Sequence, residues 1–188
     1  MKKKIITIAG AIGSGKSSTA KRVAETLAYE HFSSGDFFRK IARDRGLSVE
    51  ALNLTAEEQV EIDHEVDKLL QKIGEEKHHL VIDSRLAFHW IPQSFKVFLS
   101  LDHDTAAERV YAHLQKEGRV SQTASCLEEV GRNIDTRVES ERKRYKNLYT
   151  IDVTDTSPFD AVIDTKANTL EKVVALVIEE YRRWQHET

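Results

Sequence analysis

Short apolar runs alternate along this chain with longer stretches in which apolar residues return at helical spacing. The runs Lys4 to Ala9, Tyr29 to Phe32, His79 to Asp83, Phe95 to Leu101 and Ala161 to Asp164 read as strands. Strands separated by helical segments long enough to cross a sheet are the pattern of parallel pairing, so the fold class is α/β, with five strands in one doubly wound parallel sheet flanked by helices. Between the second and third strands, Ile62, Val66, Leu69, Leu70 and Ile73 share one helical face behind Thr55, a candidate N-cap. Leu170, Val173, Val174, Val177, Ile178, Tyr181 and Trp184 form a second apolar stripe, which predicts a C-terminal helix closing the core. Thr123 to Tyr149 reads as helical but polar and arginine-rich, with too few apolar anchors to lie wholly in the central core.

Composition narrows the classes. The chain has 188 residues, enough for one domain with a sizeable core, and only two prolines, with no repeat or Gly/Ser linker that would divide it. A net charge of -3 gives no polyanion-binding footprint, so nucleic acid is not an expected partner. The lone Cys126 forms no internal disulfide, which points to a reducing, cytoplasmic setting. The apolar run Ile5 to Ala11 is interrupted by Thr7 and ends in glycines, as a first strand does and a signal peptide does not. No run approaches the roughly 20 apolar residues of a membrane span, so no membrane partner is expected.

The strongest chemical signal is Gly10-Ala11-Ile12-Gly13-Ser14-Gly15-Lys16-Ser17, a full G-x-x-x-x-G-K-[ST] match between a strand and a helix. Glycines let successive N–H groups converge into an anion nest, and the following helix N-terminus adds partial positive charge. Lys16 then meets the β- and γ-phosphates of ATP, the Ser17 hydroxyl suits Mg²⁺, and Ser18 is placed to reach the α-phosphate. The P-loop NTPase fold follows, but the motif leaves the phosphate acceptor open. Neither Asp-x-x-Gly nor Asn-Lys-x-Asp occurs, which argues against a GTPase switch. A compact kinase needs an acceptor clamp, a carboxylate to organise metal and arginines to neutralise the transition state. Ser34-Gly35-Asp36-Phe37-Phe38-Arg39 follows the second strand, with Ser34 or Asp36 as its helix cap, and Arg39 is the clamp candidate. Asp83-Ser84-Arg85 ends the third strand at the sheet edge where ligands bind, giving Asp83 for a Mg²⁺-bound water and Arg85 for an acceptor phosphate.

Those segments, with Glu61-Ile62-Asp63, Arg137-Val138-Glu139-Ser140-Glu141-Arg142-Lys143-Arg144-Tyr145 and Tyr149-Thr150-Ile151-Asp152-Val153, resemble the cytidylate kinase family, in particular its short archaeal-type branch. The resemblance implies transfer of the ATP γ-phosphate to CMP or dCMP by a monomer. It also implies a small helical nucleotide-binding lobe and an arginine-rich lid, and puts Asp36, Arg39 and Arg85 in the acceptor site. We divide the single domain, residues 1–188, accordingly: an acceptor-binding flap near 36–76 and a lid near 118–150. Two positions depart from the family pattern, Asp83-Ser84 where Glu-Gly is common and Thr150 where glycine is usual. Other acceptors (AMP, UMP, a nucleoside, a small phosphorylated metabolite) and a slow-turnover nucleotide-binding regulator are the alternative readings.

Within the lid, Arg137, Arg142 and Arg144 are the candidates for transition-state charge. Arg137 and Arg144 share a helical face, whereas Arg142 lies about 140° away unless the helix breaks. Their competing reading is intrahelical pairing, Glu139 with Arg142 or Lys143 and Glu141 with Arg144. Arg109 and Arg119 are weaker candidates for the nucleotide, Arg132 reads as solvated, and His78, His79 and His89 lack metal-ligand spacing. Phe88 and Trp90 read as packing residues.

Overall fold

The computed structural model describes residues 3–48, 51–52, 55–56, 60–116 and 126–186. Five strands, β1 (Ile5–Gly10), β2 (Glu30–Ser33), β3 (Leu80–Asp83), β4 (Phe95–Ser100) and β5 (Ala161–Asp164), form one sheet in the order β2-β3-β1-β4-β5. Every pairing is parallel, with Ile5 opposite Leu80 and Ile6 opposite Phe95. The helices with described bounds are α1 (Lys16–Leu27), α2 (Ser34–Asp44), α3 (Glu61–Glu76), α4 (Ala87–Trp90), α5 (His103–Lys116), α6 (Leu127–Tyr149) and α7 (Leu170–His186).

Strand β1 is buried along its whole length because both of its neighbours and both of its faces are covered. Its alternate residues feed two cores. Ile6 and Ile8 pack with Val97 and Leu99 of β4 against Val23 of α1 and Val173, Val177 and Tyr181 of α7. Ile5 on the opposite face joins Leu80, Ile82, Leu70 of α3 and Ile91 beyond α4. The C-terminal stripe read from the sequence is therefore the closing face of the first core. A third cluster, Ile41, Ala42, Leu52, Ala56 and Ile62 with Phe37 and Phe38, joins α2 to α3 away from the sheet.

Several boundaries differ from the sequence expectation, each for a local reason. Ala28 ends α1 in a left-handed conformation and the Tyr29 N–H turns back to Ala24 O, so β2 starts at Glu30. His79, also left-handed, delays β3 to Leu80. Thr55 does not cap α3: that helix begins at Glu61 after Val60, and the Thr55 hydroxyl donates to Ala51 O at 2.8 Å. The cap of α2 is Ser33, whose Oγ accepts from the Asp36 N–H at 3.3 Å, rather than Ser34 or Asp36. Helix α6 is continuous over 23 residues. Its first half packs Val130 and Ile134 on Ala106 and Ala107 of α5, whereas its second half buries Glu141, Arg144 and Tyr145. Arg119, Thr123 and the stretch 118–125 of the expected lid lie outside the described residues.

Helix α6 ends at Thr150, exposed and left-handed with φ 60°, whose N–H donates to Lys146 O at 3.0 Å. A β-branched residue there carries a cost of about 1–2 kcal/mol that glycine avoids, while glycine adds about 0.5–1 kcal/mol of unfolded-chain entropy. Thr150→Gly is expected to raise the unfolding free energy by roughly 0.5–1 kcal/mol in urea titrations, against the usual direction for a glycine substitution.

Candidate active site

The C-terminal ends of β1 and β3 carry the chemistry. Gly10, with φ 149°, lies so close to β4 that a Cβ would fall 2.3 Å from Leu99 O, so only glycine lets the chain leave the sheet there. The Ala11 N–H donates to the same Leu99 O at 3.0 Å and Ser14 Oγ donates to Ala11 O at 2.8 Å, closing the loop on itself. Gly13 and Gly15 have φ values of 75° and 79°, and Gly15 precedes the first turn of α1 without a side-chain cap. Ile12 packs on the α5–α6 cluster, which seats the loop on the helices behind it. The N-terminus of α1 thus faces a concave backbone surface, the geometry that receives phosphate.

Lys16 folds back into that concavity, its Nζ donating to Gly10 O at 3.0 Å and Ala11 O at 2.7 Å. Burial, then repulsion from Arg85, lower its pKa to about 7 despite the pull of Asp83 and Glu141. The adjacent Ser17 hydroxyl donates to Asp83 Oδ2, the same oxygen that accepts from Ser33 Oγ at 3.4 Å. Ser34 Oγ donates to the Asp83 backbone carbonyl at 3.3 Å. Ser18 is exposed on the next position of α1. A hydroxyl beside one buried carboxylate offers the hard oxygen donors that Mg²⁺ takes when phosphates supply the rest of its shell. Among the described residues, no group of three or more His, Cys, Asp or Glu side chains forms a metal cage by itself.

Beyond the loop opens a cleft of about 130 Å³ between α2, α3, the end of β3 and α6. Arg39, Arg85, Arg137 and Arg144 all line it, and so do the carboxylates Asp63, Asp67 and Glu141. Arg85 donates through Nη1 to Gly10 O at 3.0 Å and through Nε meets Glu141, whose other oxygen lies 3.0 Å from Arg137 Nε. Glu141 is 6% exposed; burial opposes its ionisation, but Arg85 and then Arg137 outweigh that and hold its carboxyl below the usual range. Arg144 Nε lies 2.9 Å from Asp63 Oδ2 and its guanidinium stacks 5.1 Å from the Tyr145 ring. Burial raises Asp63 to about 6, with Arg144 pulling the other way. Burial likewise raises Asp67, which accepts from Trp90 Nε1 at 2.8 Å and from the Tyr149 hydroxyl.

Not every sequence candidate reaches this cleft. Arg137 and Arg144 share its wall, as their spacing on an unbroken helix requires, while Arg142 faces Asp152 at 3.6 Å on another side. Arg39 lines the cleft, but the Asp36 carboxylate is exposed and pairs with it at 2.6 Å instead of lining the cleft itself. Arg109 donates to Thr165 O at 2.7 Å, tying α5 to the loop after β5. The intrahelical pair expected between Glu141 and Arg144 gives way to Glu141 with Arg137 and Arg85. Asp67 and Ser33 were passed over in the sequence, and Asp63 and Glu141 entered it without a site role of their own. A signal existed for one of them: Asp67 follows Asp63 by four positions, so two carboxylates sit beside the apolar stripe of α3.

Residues 5–167 match the Cytidylate kinase-like family. The chain is 37% identical to a cytidylate kinase of Haloarcula marismortui, covering 86% of this chain and 80% of that protein. It is 36% identical to a cytidylate kinase of Thermoplasma volcanium, covering 92% and 88%. An S-adenosylmethionine-dependent nucleotide dehydratase of Lacinutrix mariniflava is 33% identical over 95% of this chain, which spans 36% of that protein. In fold, the shikimate kinase of Aquifex aeolicus superposes with a TM-score of 0.61 at 16% identity, over 98% of this chain and 99% of that one.

The lowered Lys16 pKa has a measurable sign. At pH 8 the ligand-free side chain is mostly neutral, and an anion in the loop restores its charge, so sulfate binding is expected to take up a proton at pH 8 and not at pH 6. Calorimetry in buffers of different ionisation enthalpy reads this uptake, which disappears in Lys16→Met.

Proposed function

The chain belongs to the cytidylate kinase-like family, and from that premise we propose that it is a nucleoside monophosphate kinase transferring the ATP γ-phosphate to CMP or dCMP. The observation that carries this reading is the cleft beside the phosphate loop, which guanidinium groups from α2, the end of β3 and α6 line together and where Arg85 shares the Gly10 carbonyl with Lys16. A dianionic acceptor phosphate and a polyphosphate donor each need several cations, and these are supplied from opposite sides of one cleft.

The reaction is in-line attack by an acceptor phosphate oxygen on the γ-phosphorus, with no covalent enzyme intermediate. Lys16 exchanges the Gly10 and Ala11 carbonyls for the β- and γ-phosphates, which regenerates its charge where negative charge is greatest. Gly10, Ala11, Ile12, Gly13, Ser14 and Gly15 carry the loop backbone around those phosphates, with Ser18 beside the α-phosphate. The Ser17 hydroxyl and, through water, Asp83 would hold Mg²⁺, which would supply neutralisation of the phosphate oxygens. Arg39 and Arg85 receive the acceptor phosphate, and Arg137 serves the transferring group. The flap of α2 and α3 and the lid of α6 close on the two nucleotides and exclude water.

The buried Asp63 and Arg144 favour cytosine among acceptor bases. Asp63 accepts from the exocyclic amine, and Arg144 donates to the ring nitrogen and carbonyl beside it. Uracil offers a carbonyl where cytosine has the amine, so it sets two acceptors against each other. This assignment moves Arg144 from transition-state charge to base recognition and leaves Arg142 without contact to either nucleotide.

Coupled ADP release with ATP and Mg²⁺ is expected to show turnover with CMP and dCMP well above that with UMP, AMP or GMP. Lys16→Ala should lower it by about a hundredfold or more. ATP hydrolysis indifferent to every acceptor would replace this reading with a regulatory one. Asp63→Asn removes the charged acceptor and supplies a donor, so kcat/KM for CMP should fall about 10- to 100-fold while the ratio of UMP to CMP rises.

A further inference from the structure

We propose that Glu141 is an internal placeholder for the acceptor phosphate: in the ligand-free protein it clamps Arg85 and Arg137 together, and the incoming phosphate displaces it. The inference rests on the phosphotransfer reading but concerns a residue that reading does not use.

Glu141 projects from α6 into the cleft with a side chain only 6% exposed. One oxygen meets Arg85 Nε and the other lies 3.0 Å from Arg137 Nε, so it joins a guanidinium fixed at the end of β3 to one carried on α6. Lys16 also contributes to holding the carboxylate ionised, and Arg85 is anchored through Nη1 to Gly10 O, the first carbonyl of the phosphate loop. Two guanidinium groups on one buried carboxylate beside a phosphate loop is the environment a phosphate group requires. Among the described residues, Arg39, the other acceptor candidate, is held by the exposed Asp36.

Two consequences follow. A phosphate binding to Arg85 competes with Glu141, so the carboxylate weakens binding of any anion that lacks the further contacts of the correct acceptor. Breaking the bridge also releases Arg137 at the moment the acceptor is seated, which ties the arrival of one substrate to the charge available for the other. Glu141 is in these terms a positioning residue, acting through two arginines.

Glu141→Gln keeps the size of the side chain and removes its charge. Inorganic phosphate, titrated into the ligand-free protein by calorimetry without ATP or metal, should bind the variant about tenfold or more tightly than wild type. If the variant is too unstable alone, the phosphate concentration that restores its folding in thermal denaturation reads the same affinity. The acceptor KM should fall without a rise in kcat, and ATP hydrolysis in the absence of acceptor should rise several-fold. A phosphate affinity equal to or below that of wild type overturns the placeholder, and a leak no greater than that of wild type overturns the release of Arg137. The phosphate titration does not depend on which nucleotide accepts, so failure of wild type to use CMP would refute the acceptor assignment and leave this result standing.

Discussion

Mutual repulsion among the cations at one edge of the sheet is the constraint on which the rest of this structure depends. Lys16, Arg85 and Arg137 are drawn together beside the N-terminus of a helix that already carries partial positive charge. Such a cluster holds in the ligand-free protein only if each charge finds an internal acceptor. The acceptors are of three kinds: loop carbonyls at Gly10 and Ala11 for Lys16, a shared carboxylate at Glu141 for Arg85 and Arg137, and a private one at Asp63 for Arg144. Removing one partner of a buried pair costs about 3–5 kcal/mol, whereas an exposed pair such as Arg39 with Asp36 contributes about 0–1 kcal/mol. The cleft therefore has stiff cations at Arg85 and Arg144 and two more exposed ones, Arg137 on α6 and Arg39 on α2.

The scaffold earns its precision from backbone contact more than from side chains. Gly10 presses on Leu99, so β1 and β4 fix where the phosphate loop begins, and the same Gly10 carbonyl accepts from both Lys16 and Arg85. Asp83 ends β3 in register with Ile8 of β1, which brings its carboxylate to Ser17 on the first turn of α1. Two adjacent parallel strands ending together thus assemble a hydroxyl, a carboxylate and an ammonium without any long loop.

The strands and the loop were legible because their signals are local: β-branched runs, turn glycines and a full motif at the right spacing. Parallel pairing and the helix faces followed from the same periodicities, whereas the strand order came only with the structure; the spacing of Arg137 and Arg144 anticipated that they would share a wall. Partner choice was not legible. Glu141 lies within reach of Arg144, Arg137 and Lys16 by sequence or by fold, and only the packing of α6 against the end of β3 selects Arg137 and Arg85. Ser33 displaced two better-placed capping candidates because β2 runs one residue further than its apolar pattern. Thr55 lost its role because α3 starts later, leaving its hydroxyl to the turn behind it.

The three carboxylates of the cleft show how partner count, not burial alone, decides ionisation. Asp63, Asp67 and Glu141 are all buried to a similar degree. Two guanidinium groups hold Glu141 below its usual range, one leaves Asp63 raised to about 6, and Asp67, which accepts from the neutral donors of Trp90 and Tyr149, is raised as well. Charge is therefore graded along the wall, fully expressed beside the phosphate loop and weakened toward the far end of α6. The strong end suits a site that exchanges one anion for another. The weak end suits hydrogen bonding to an uncharged group, and there Asp67 also joins α3 to Tyr149, the last residue of α6 before the strained Thr150.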